Sequence, residues 1–485
     1  MTRFVMVWGT SSGAGKSWLA TALCRSAARR GTAVKPFKAQ NMSNNARVVA
    51  GLDGLGAEIG AAQYFQALAA GVEPGVDMNP VLLKPERDTA SQVVVHGRVD
   101  AALGRIGWRE RSPTLAAAAR ASLQRLAGTC DLVVIEGAGS PAEINLARQD
   151  YVNLGAARQA RELGTLHSLL VADIDRGGAF AHLFGTHQLL PAAERACIRG
   201  FVLNRFRGDP TLLAPGPQQL LQLTGVPTVA VLPMWREHGL PEEDGVFDEA
   251  TSGSATGPVI AVVAYPHISN LDEFQPLRTA GSVRLRWART PAALEGADWV
   301  VLPGSKHTSG DLAWLRAQGL DAAIARHAAA GRRVLGICGG LQMLGTELRD
   351  PHGVDGAATG LGLLPLTTQF ERRKLLRHTR ARFDALEGDW AALSQASFGG
   401  YEIRHGRTEA MAGTRVALRN AAGEPIGWQR GPVLGLYAHG LFESPAAMQA
   451  LFGATVRTLD SVFDGLADFI DHHFDADVLH RLLQP

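Results

Sequence analysis

The chain has 485 residues, a length that allows about two to four domains and excludes a single small binding module. Hydrophobic residues make up 46% of it and charged residues 19%, which is typical of globular proteins with buried cores and excludes long disordered or fibrous segments. The formal net charge is only +2 and no basic block stands out, which argues against nucleic acid as a partner.

The cysteines and the apolar runs indicate the compartment. Cys24, Cys130, Cys197 and Cys338 lie far apart and form no CxxC pair, so neither a disulfide framework nor a cysteine zinc site is expected. The first apolar stretch, residues 4–8, is too short for a signal peptide, and no later run approaches the roughly 18 apolar residues of a membrane span. We therefore expect a cytoplasmic protein without membrane contact. The sequence leaves the oligomeric state open.

The predicted fold class is α/β, because short apolar runs alternate with Gly-rich turns and stretches of helical length. In the first half the predicted strands are residues 4–8, 34–37, 132–135, 168–172, 200–203 and 228–232, and the predicted helices include residues 16–30 and 114–127. A second strand–helix series begins at residues 259–264 and continues through 299–302 and 333–337. Two doubly wound domains are the expected architecture.

A polar segment separates the two series. Residues 236–257 are acidic, then small and polar, without apolar periodicity, and we interpret them as a linker between domains at 1–235 and 258–445. Residues 446–485 are expected to form helices packed on the outside. In that last segment Asp and His side chains between residues 468 and 480 alternate with apolar ones at helical spacing, which favours a solvated helix face over a metal site.

A Gly-rich loop between the first predicted strand and the first predicted helix has the character of a phosphate cradle. Its glycines let backbone N–H groups surround phosphate oxygens, Lys16 would reach the terminal phosphates, and the Ser17 hydroxyl would hold Mg²⁺. The first glycine stands one position early, so that Thr10 occupies its usual place. The candidate nucleotide-binding residues of the loop are Gly9, Thr10, Gly13, Gly15, Lys16 and Ser17.

This shifted spacing resembles the loop of dethiobiotin synthetase and its relatives, P-loop enzymes that use ATP to turn a carboxylate into an acyl phosphate. The resemblance implies ATP and Mg²⁺ as cofactors. It also implies that Lys38 neutralises phosphates or the substrate carboxylate, and that Asn204 reads adenine. Glu136, at the carboxyl end of a predicted strand, would be a ligand of Mg²⁺, with Glu58 as a weaker candidate for the same ion.

The second domain contains a different chemical motif. Around Cys338 a strand, a sharp turn and a helix follow one another with the spacing G-x-C-x-G, which predicts a nucleophile elbow. A helix N-terminus beside the sulfur favours the thiolate. His439, at the end of another apolar strand, is the candidate general base and acid, and backbone N–H groups of Gly339 and of the turn at Gly304 are candidates for an oxyanion hole.

These residues resemble the triad-type glutamine amidotransferase domain, in which the cysteine forms a glutamyl thioester and releases ammonia. The third member of that family's triad is a Glu two residues after the His, a position occupied here by Leu441. Two interpretations stay open: another group, for which Glu443 is the candidate, orients His439, or the site works as a dyad. Gln342 and Tyr401 are candidates for holding glutamine.

Several further polar runs between residues 1 and 445 resemble the cobyric acid synthase family. The fold itself does not require these polar residues, so the resemblance is specific. The runs are KPFKAQNMSNN at 35–45, MNPVLLKP at 78–85, residues 136–145, DIDRGG at 173–178, NRFRGD at 204–209, PGSK at 303–306 and HGLF at 439–442. The resemblance implies amidation of the b, d, e and g carboxylates of adenosylcobyrinic acid a,c-diamide, which gives adenosylcobyric acid. Corrinoid, glutamine and ATP are the small-molecule partners so implied. Candidate substrate contacts are Gln40, Asn41 and Asn44, together with Lys84, Ser91, Gln92, Asp175 and Arg176.

Two other functions compete with this hypothesis. The sister activity, cobyrinic acid a,c-diamide synthesis, uses the same two domains, and the run at residues 40–45 argues against it. A P-loop ATPase switch with an inactive glutaminase-like domain is the other alternative. Such switches carry a signature lysine early in the loop, where this chain has Ser11.

Overall fold

The structure is a computed structural model that describes residues 2–87, 90–241, 252–253 and 257–484. Most of the predicted linker, residues 242–251 and 254–256, lies outside the described residues.

Helices and strands alternate through both halves of the chain. The strands of the first half are β1 (Arg3–Gly9), β2 (Val34–Phe37), β3 (Gln40–Met42), β4 (Ala46–Ala50), β5 (Gly56–Gly60), β6 (Val81–Arg87), β7 (Ala90–Val95), β8 (Arg98–Val99), β9 (Leu132–Glu136), β10 (Thr165–Asp173), β11 (Ile198–Phe206) and β12 (Thr228–Pro233). Its helices are α1 (Lys16–Arg29), α2 (Ala61–Ala69), α3 (Ala101–Arg105), α4 (Trp108–Ala127), α5 (Leu154–Leu163), α6 (Ala179–Leu189), α7 (Ala192–Arg195) and α8 (Gly216–Thr224).

The second half continues the series. Its strands are β13 (Ser252–Gly253), β14 (Val259–Val263), β15 (Ile268–Ser269), β16 (Arg284–Ala288), β17 (Trp299–Leu302), β18 (Gly304–Ser305), β19 (Arg333–Ile337), β20 (Glu347–Arg349), β21 (Ala358–Thr359), β22 (Leu366–Phe383), β23 (Ser397–Ala410), β24 (Arg415–Asn420), β25 (Pro425–Arg430) and β26 (Val433–Leu436). Its helices are α9 (Gln275–Thr279), α10 (Thr308–Ala317), α11 (Leu320–Ala329), α12 (Gly339–Leu344), α13 (Pro445–Phe452), α14 (Leu459–His473) and α15 (Ala476–Leu483).

The first sheet is parallel throughout, in the order β12-β11-β10-β1-β9-β2. Along β1, Phe4 and Met6 belong to one apolar core and Val5 and Val7 to another, so both faces of the sheet are covered. The α/β prediction is confirmed for this domain. Helix α4 begins six residues before its predicted start, because Pro113 is accommodated inside the helix instead of opening it.

The C-terminal helices α14 and α15 pack against the first domain. Val462, Phe463 and Ile470 of α14 share the apolar core of α1, and the N–H of Asp475 donates to Val229 O of β12 at 2.8 Å. The acidic side chains of α14 meet arginines of α1 in the pairs Arg25–Asp464 (2.8 Å), Arg29–Asp468 (2.6 Å) and Arg30–Asp471 (3.0 Å). Two members of the face predicted as solvated, Asp468 and Asp471, therefore help to attach this segment to α1.

The second sheet has a parallel centre in the order β16-β14-β17-β19-β26, as predicted for an α/β domain. Antiparallel strands β25, β24, β22 and β23 extend it beyond β26. The long pair β22 and β23 was not predicted, since its residues are strongly charged. It packs against the hairpin β4–β5, where the two domains meet.

Among the described residues, no helix has both the length and the apolar character to cross a lipid bilayer.

Candidate active sites

The phosphate loop joins β1 to α1 at the carboxyl end of the first sheet. Gly13 and Gly15 have φ values of 72° and 99°, in the left-handed region that favours glycine. The ammonium group of Lys16 folds back over the loop and donates to Ser11 O at 2.9 Å and to Gly139 O at 3.0 Å. A Cβ at Gly9 would lie 2.9 Å from Lys16 Nζ, so the early glycine leaves room for the lysine.

A buried carboxylate stands behind this loop. Glu136 Oε1 accepts from Ser17 Oγ and from Lys38 Nζ, both at 2.7 Å. Its Oε2 accepts from Gln66 Nε2 at 2.6 Å and from Gln63 Nε2 at 3.2 Å. Burial would raise the pKa of Glu136, but Lys38 and these hydrogen bonds hold it below its ordinary value. The carboxylate is therefore ionised beside the loop hydroxyl.

A cavity of about 690 Å³ opens in front of the loop and of Glu136. The predicted residues that line it are Gly13, Gly15, Lys16, Ser17, Lys38, Asn41, Glu136, Asp175, Arg176 and Asn204. Asn204 Nδ2 also donates to Ala14 O of the loop at 2.9 Å. Aromatic side chains from three separate segments, Trp18, Trp235 and Phe469, line the same cavity, and the last belongs to the C-terminal helix α14. Sequence reasoning assigned nothing to these aromatic residues.

Several predicted residues are not among those that line this cavity, namely Gly9, Thr10, Gln40, Asn44, Glu58, Lys84, Ser91 and Gln92. Gln40 accepts from the Tyr151 hydroxyl. Asn44 lines the cavity at Cys338. Glu58, predicted as the weaker Mg²⁺ ligand, accepts from Lys84 Nζ and Lys374 Nζ, both at 2.6 Å, so its carboxylate is neutralised in the domain interface.

The turn at Cys338 is a strained elbow. Cys338 has φ 50° and ψ −104°, a conformation that few residues other than glycine adopt, between the end of β19 and the start of α12. A side chain at Gly340 would collide with the carbonyl of Leu302, so the elbow can pack against β17 only with glycine there. The strain fixes the sulfur at the beginning of the helix, as the spacing predicted.

His439 is oriented by a residue that sequence reasoning missed. Its Nδ1 lies 3.1 Å from Glu273 Oε1, and both side chains are buried. Leu441 occupies the usual position of the third triad member, and the candidate Glu443 instead pairs with Arg47. Glu273 stands on the 3₁₀ turn Leu271–Phe274, 166 positions upstream of His439.

The interactions of His439 determine its charge. Burial would lower its pKa, but the Glu273 carboxylate and the hydrogen bond with Cys338 raise it to about 10. Burial in turn raises the pKa of Glu273, against the effect of His439. At neutral pH the imidazole is therefore protonated and contacts the cysteine sulfur on one side and a carboxylate on the other.

A smaller cavity, of about 70 Å³, opens at Cys338. Gly339, Gln342 and Ser305 line it from the second domain, and Gln342 Oε1 accepts from Thr308 Oγ1 at 3.3 Å. A Cβ at Gly304 would lie 3.0 Å from His439 Cε1, so this glycine directly adjoins the imidazole. Side chains of the first domain also enter this cavity, namely Asn44, Lys84 and Gln92.

Tyr401, predicted to help hold glutamine, lies beside the imidazole of His439, the candidate general base and acid. Its ring stacks on His439, with the ring centres 5.1 Å apart, and its hydroxyl accepts from Asn270 Nδ2 at 2.6 Å. It is not among the described residues that line the cavity at Cys338.

Comparisons with known proteins agree with both halves of this geometry. The family described as "CobQ/CobB/MinD/ParA nucleotide binding domain" matches residues 5–242, and the family described as "CobB/CobQ-like glutamine amidotransferase domain" matches residues 259–447. The cobyric acid synthase of Methylibium petroleiphilum is 67% identical over 99% of this chain and 97% of its own length. That of Variovorax paradoxus is 64% identical over 99% of both chains.

The chain belongs to the cobyric acid synthase family. A solved structure described as a glutamine amidotransferase matches 40% of this chain and 98% of its own, with 20% identity and a TM-score of 0.32. The family has a nucleotide-binding domain and a glutamine amidotransferase domain, in the order in which the two cavities occur along this chain.

We expect Glu273→Gln to lower glutamine hydrolysis by about 10²- to 10⁴-fold, by analogy with the loss of the carboxylate that orients histidine in other triads. Without the carboxylate, the pKa of His439 falls from about 10 towards its ordinary value, so less imidazolium remains as the pH rises. The alkaline limb of the rate profile for glutamate release should therefore move to lower pH.

The matched control is Glu387→Gln, which removes an exposed carboxylate of the same domain that pairs with Arg415. This variant should keep the rate and the pH profile of the unmodified chain. An unmoved alkaline limb in Glu273→Gln would contradict the assignment of Glu273 to the triad.

Proposed function

We propose that this chain catalyses the ATP- and glutamine-dependent amidation of the b, d, e and g carboxylates of adenosylcobyrinic acid a,c-diamide, which gives adenosylcobyric acid in cobalamin biosynthesis. The observation that carries the proposal is the presence, on one chain, of a phosphate loop backed by ionised Glu136 and of the triad Cys338–His439–Glu273. We assign the ATP chemistry to residues 1–235 and glutamine hydrolysis to residues 258–445. Membership of the cobyric acid synthase family supports the choice of substrate.

The first domain would activate the substrate carboxylate, which at neutral pH is a poor electrophile. A carboxylate oxygen attacks the terminal phosphorus of ATP, ADP leaves, and an acyl phosphate forms. Lys16 and Lys38 lie where they can balance the phosphate charge. Ser17 Oγ and Glu136 Oε1, 2.7 Å apart, are oxygen donors of the kind that fit Mg²⁺, which would neutralise further phosphate charge. Asn204 and the aromatic faces of Trp18, Trp235 and Phe469 would hold the base.

The second domain would supply the nitrogen. The Cys338 thiolate attacks the carboxamide carbon of glutamine, and backbone N–H groups at Gly304 and Gly339 stabilise the oxyanion. Protonated His439 gives its proton to the departing ammonia, and water then hydrolyses the thioester to glutamate. Ammonia attacks the acyl phosphate in the first domain, and inorganic phosphate leaves.

The polar run at residues 40–45 supports the corrinoid assignment. Asn41 lines the cavity at the phosphate loop, whereas Asn44 lines the cavity at Cys338. The run therefore connects the two sites, and it presents amide groups suited to a substrate that carries carboxylates and amides. We propose Gln40, Asn41 and Asn44 as corrinoid contacts.

The alternatives are less well supported. The buried contact between His439 and Glu273 beside the elbow cysteine argues against an inactive glutaminase-like domain. The 67% identity to a cobyric acid synthase over 99% of this chain argues against the sister activity. All four cysteines are free, which supports our proposal of a cytoplasmic location.

We expect the chain, incubated with ATP, Mg²⁺, glutamine and adenosylcobyrinic acid a,c-diamide, to produce a corrinoid that carries new amides at b, d, e and g. Mass spectrometry of the corrinoid counts these amides, and ¹⁵N-amide glutamine identifies their origin. Incubation without ATP is the control and should give no amidation. Conversion of cobyrinic acid to its a,c-diamide, with no further amides, would instead establish the sister activity.

A further inference from the structure

A buried arginine of the first domain contacts the glutaminase domain beside its triad. Arg47, on β4, is fully enclosed, with only 3% of its surface exposed. Its Nε donates to Asp272 Oδ2 at 2.8 Å, its Nη2 donates to Glu443 Oε1 at 2.6 Å, and its Nη1 donates to Glu443 Oε2 at 3.1 Å. One guanidinium thus joins two carboxylates of the other domain.

Asp272 directly precedes Glu273, the residue that orients His439. The neighbouring residues strengthen this attachment: Leu271 N donates to Asn45 Oδ1 at 2.9 Å, and Asn270 Nδ2 donates to Ala46 O at 2.9 Å. The first domain therefore binds the 3₁₀ turn Leu271–Phe274 at two points, the backbone N–H of Leu271 and the carboxylate of Asp272. The position of Glu273 depends on a segment outside its own domain.

Arg47 also approaches the imidazole through an aromatic ring. Its Cζ lies 4.8 Å from the ring centre of Tyr401, and that ring stacks on His439. Arg47 consequently reaches His439 through Tyr401, and it reaches Glu273 through Asp272. Both partners of the catalytic cysteine are in contact with this network.

Helix α2 connects the same arginine to the phosphate loop. Tyr64 and Phe65 of α2 lie 5.6 Å and 5.1 Å from Arg47 Cζ. Gln63 and Gln66 of the same helix donate to Glu136 Oε2. A rearrangement around Glu136 when nucleotide and Mg²⁺ bind would shift α2, and with it the aromatic residues that enclose Arg47.

We propose that Arg47 is a positioning residue that holds Glu273 and His439 in their working arrangement and makes glutamine hydrolysis respond to the nucleotide site through α2. The inference rests on the proposed function and deepens it, since it specifies how ammonia release is matched to carboxylate activation. Physical coupling of this kind requires an element whose arrangement both sites influence, and α2 with Arg47 is such an element.

The acidic groups around the triad give the proposal a distinctive pH signature. The titratable and charged groups near Glu273 and His439 are Cys338, Asp272, Glu443, Arg47, Tyr265 and Tyr401. Burial raises the pKa of Glu273, the charges of Asp272 and Glu443 raise it further, and Arg47 balances both of those charges. Loss of Arg47 should raise the pKa of Glu273 further. As the pH is lowered, Glu273 should then take up its proton at a higher pH than in the unmodified chain.

The test compares Arg47→Gln with Arg47→Lys in the full chain. We expect Arg47→Gln to lower kcat for glutamine hydrolysis about ten-fold or more, with a smaller change in KM, and to move the acid limb of the pH profile to higher pH. Arg47→Lys keeps the charge and should restore the acid limb. Ammonium-dependent amidation should persist in both variants, which verifies that the first domain is folded.

The matched control is Arg98→Gln. Arg98 pairs with Asp53 in the turn of the same hairpin β4–β5, away from the triad, and this variant should behave like the unmodified chain. A uniform loss of activity at every pH in Arg47→Gln, with no movement of the acid limb, would reduce Arg47 to a structural contact and overturn the positioning role.

The coupling is tested with ATP and Mg²⁺ as the probe. In the unmodified chain they should raise glutamine hydrolysis about five-fold or more, and in Arg47→Gln the ratio with and without nucleotide should fall to one. The coupling would be overturned if ATP and Mg²⁺ left the rate of glutamine hydrolysis in the unmodified chain unchanged. It would also be overturned if Arg47→Gln kept the full increase in that rate. Failure of the proposed function is distinguishable, because the unmodified chain would then add no amides to adenosylcobyrinic acid a,c-diamide, whereas the coupling is measured on glutamate release alone.

Discussion

Replacement of Cys338 by Ala should abolish glutamine-dependent amidation while amidation with ammonium salts continues. In the proposed mechanism the Cys338 sulfur at the strained elbow forms the thioester, and alanine removes this sulfur from the cavity. Loss of a nucleophile that works together with a histidine lowers turnover by about 10³-fold or more. The phosphate loop and Glu136 lie in the other cavity, so activation of the carboxylate should not require the thiol.

The measurement compares amide formation from glutamine and from ammonium at equal ATP and corrinoid concentrations. Cys130→Ser is the matched control, because Cys130 lies outside both cavities and burial raises the pKa of its thiol, which makes it a poor nucleophile. It should leave both activities unchanged. Loss of ammonium-dependent amidation in Cys338→Ala would contradict the division of the reaction between two sites.

Groups whose chemistry depends on the residues of one short segment could be located from the sequence. The loop at Lys16 and Ser17 and the elbow at Cys338 each need glycines at fixed distances from a reactive side chain, and the structure has both turns where they were expected. The family resemblance implied the roles of Lys38 and Glu136, each of which follows or ends a separate predicted strand. They meet because parallel strands bring their carboxyl ends to one edge of the sheet.

Residues that depend on contacts between distant segments were not predictable in this way. Glu273 lies on a short turn without a recognisable motif, and only the fold of the second sheet carries it to His439. Glu58 lies on β5, in a hairpin that packs on β22, so its carboxylate meets Lys374 instead of the phosphate loop. A signal for Arg47 existed, since arginine in a run of otherwise apolar strand residues requires acidic partners, but nothing local identifies those partners.

Replacement of Lys16 by Ala should abolish ATP-dependent amidation with either nitrogen source while basal thioester formation at Cys338 continues. Lys16 is the buried cation of the phosphate loop, and loss of such a group lowers phosphoryl transfer by about 10²-fold or more. Lys35→Ala is the matched control, because Lys35 is a lysine of the same domain whose ammonium donates to Thr129 Oγ1 outside the cavity. Amide formation and trapping of the thioester with hydroxylamine measure the two halves separately.

The same variant separates basal glutamine hydrolysis from its control by nucleotide. Lys16 lies far along the chain from Glu273 and lines a different cavity, so its loss should leave the triad intact. In the proposed coupling, nucleotide binding at the loop affects Arg47 through Glu136 and α2. A loop that no longer binds nucleotide therefore has no effect on Arg47. Lys16→Ala should therefore keep the basal rate of glutamate release and lose its response to ATP and Mg²⁺. Disappearance of the basal rate as well would show that hydrolysis requires an intact phosphate loop, which contradicts two separable sites.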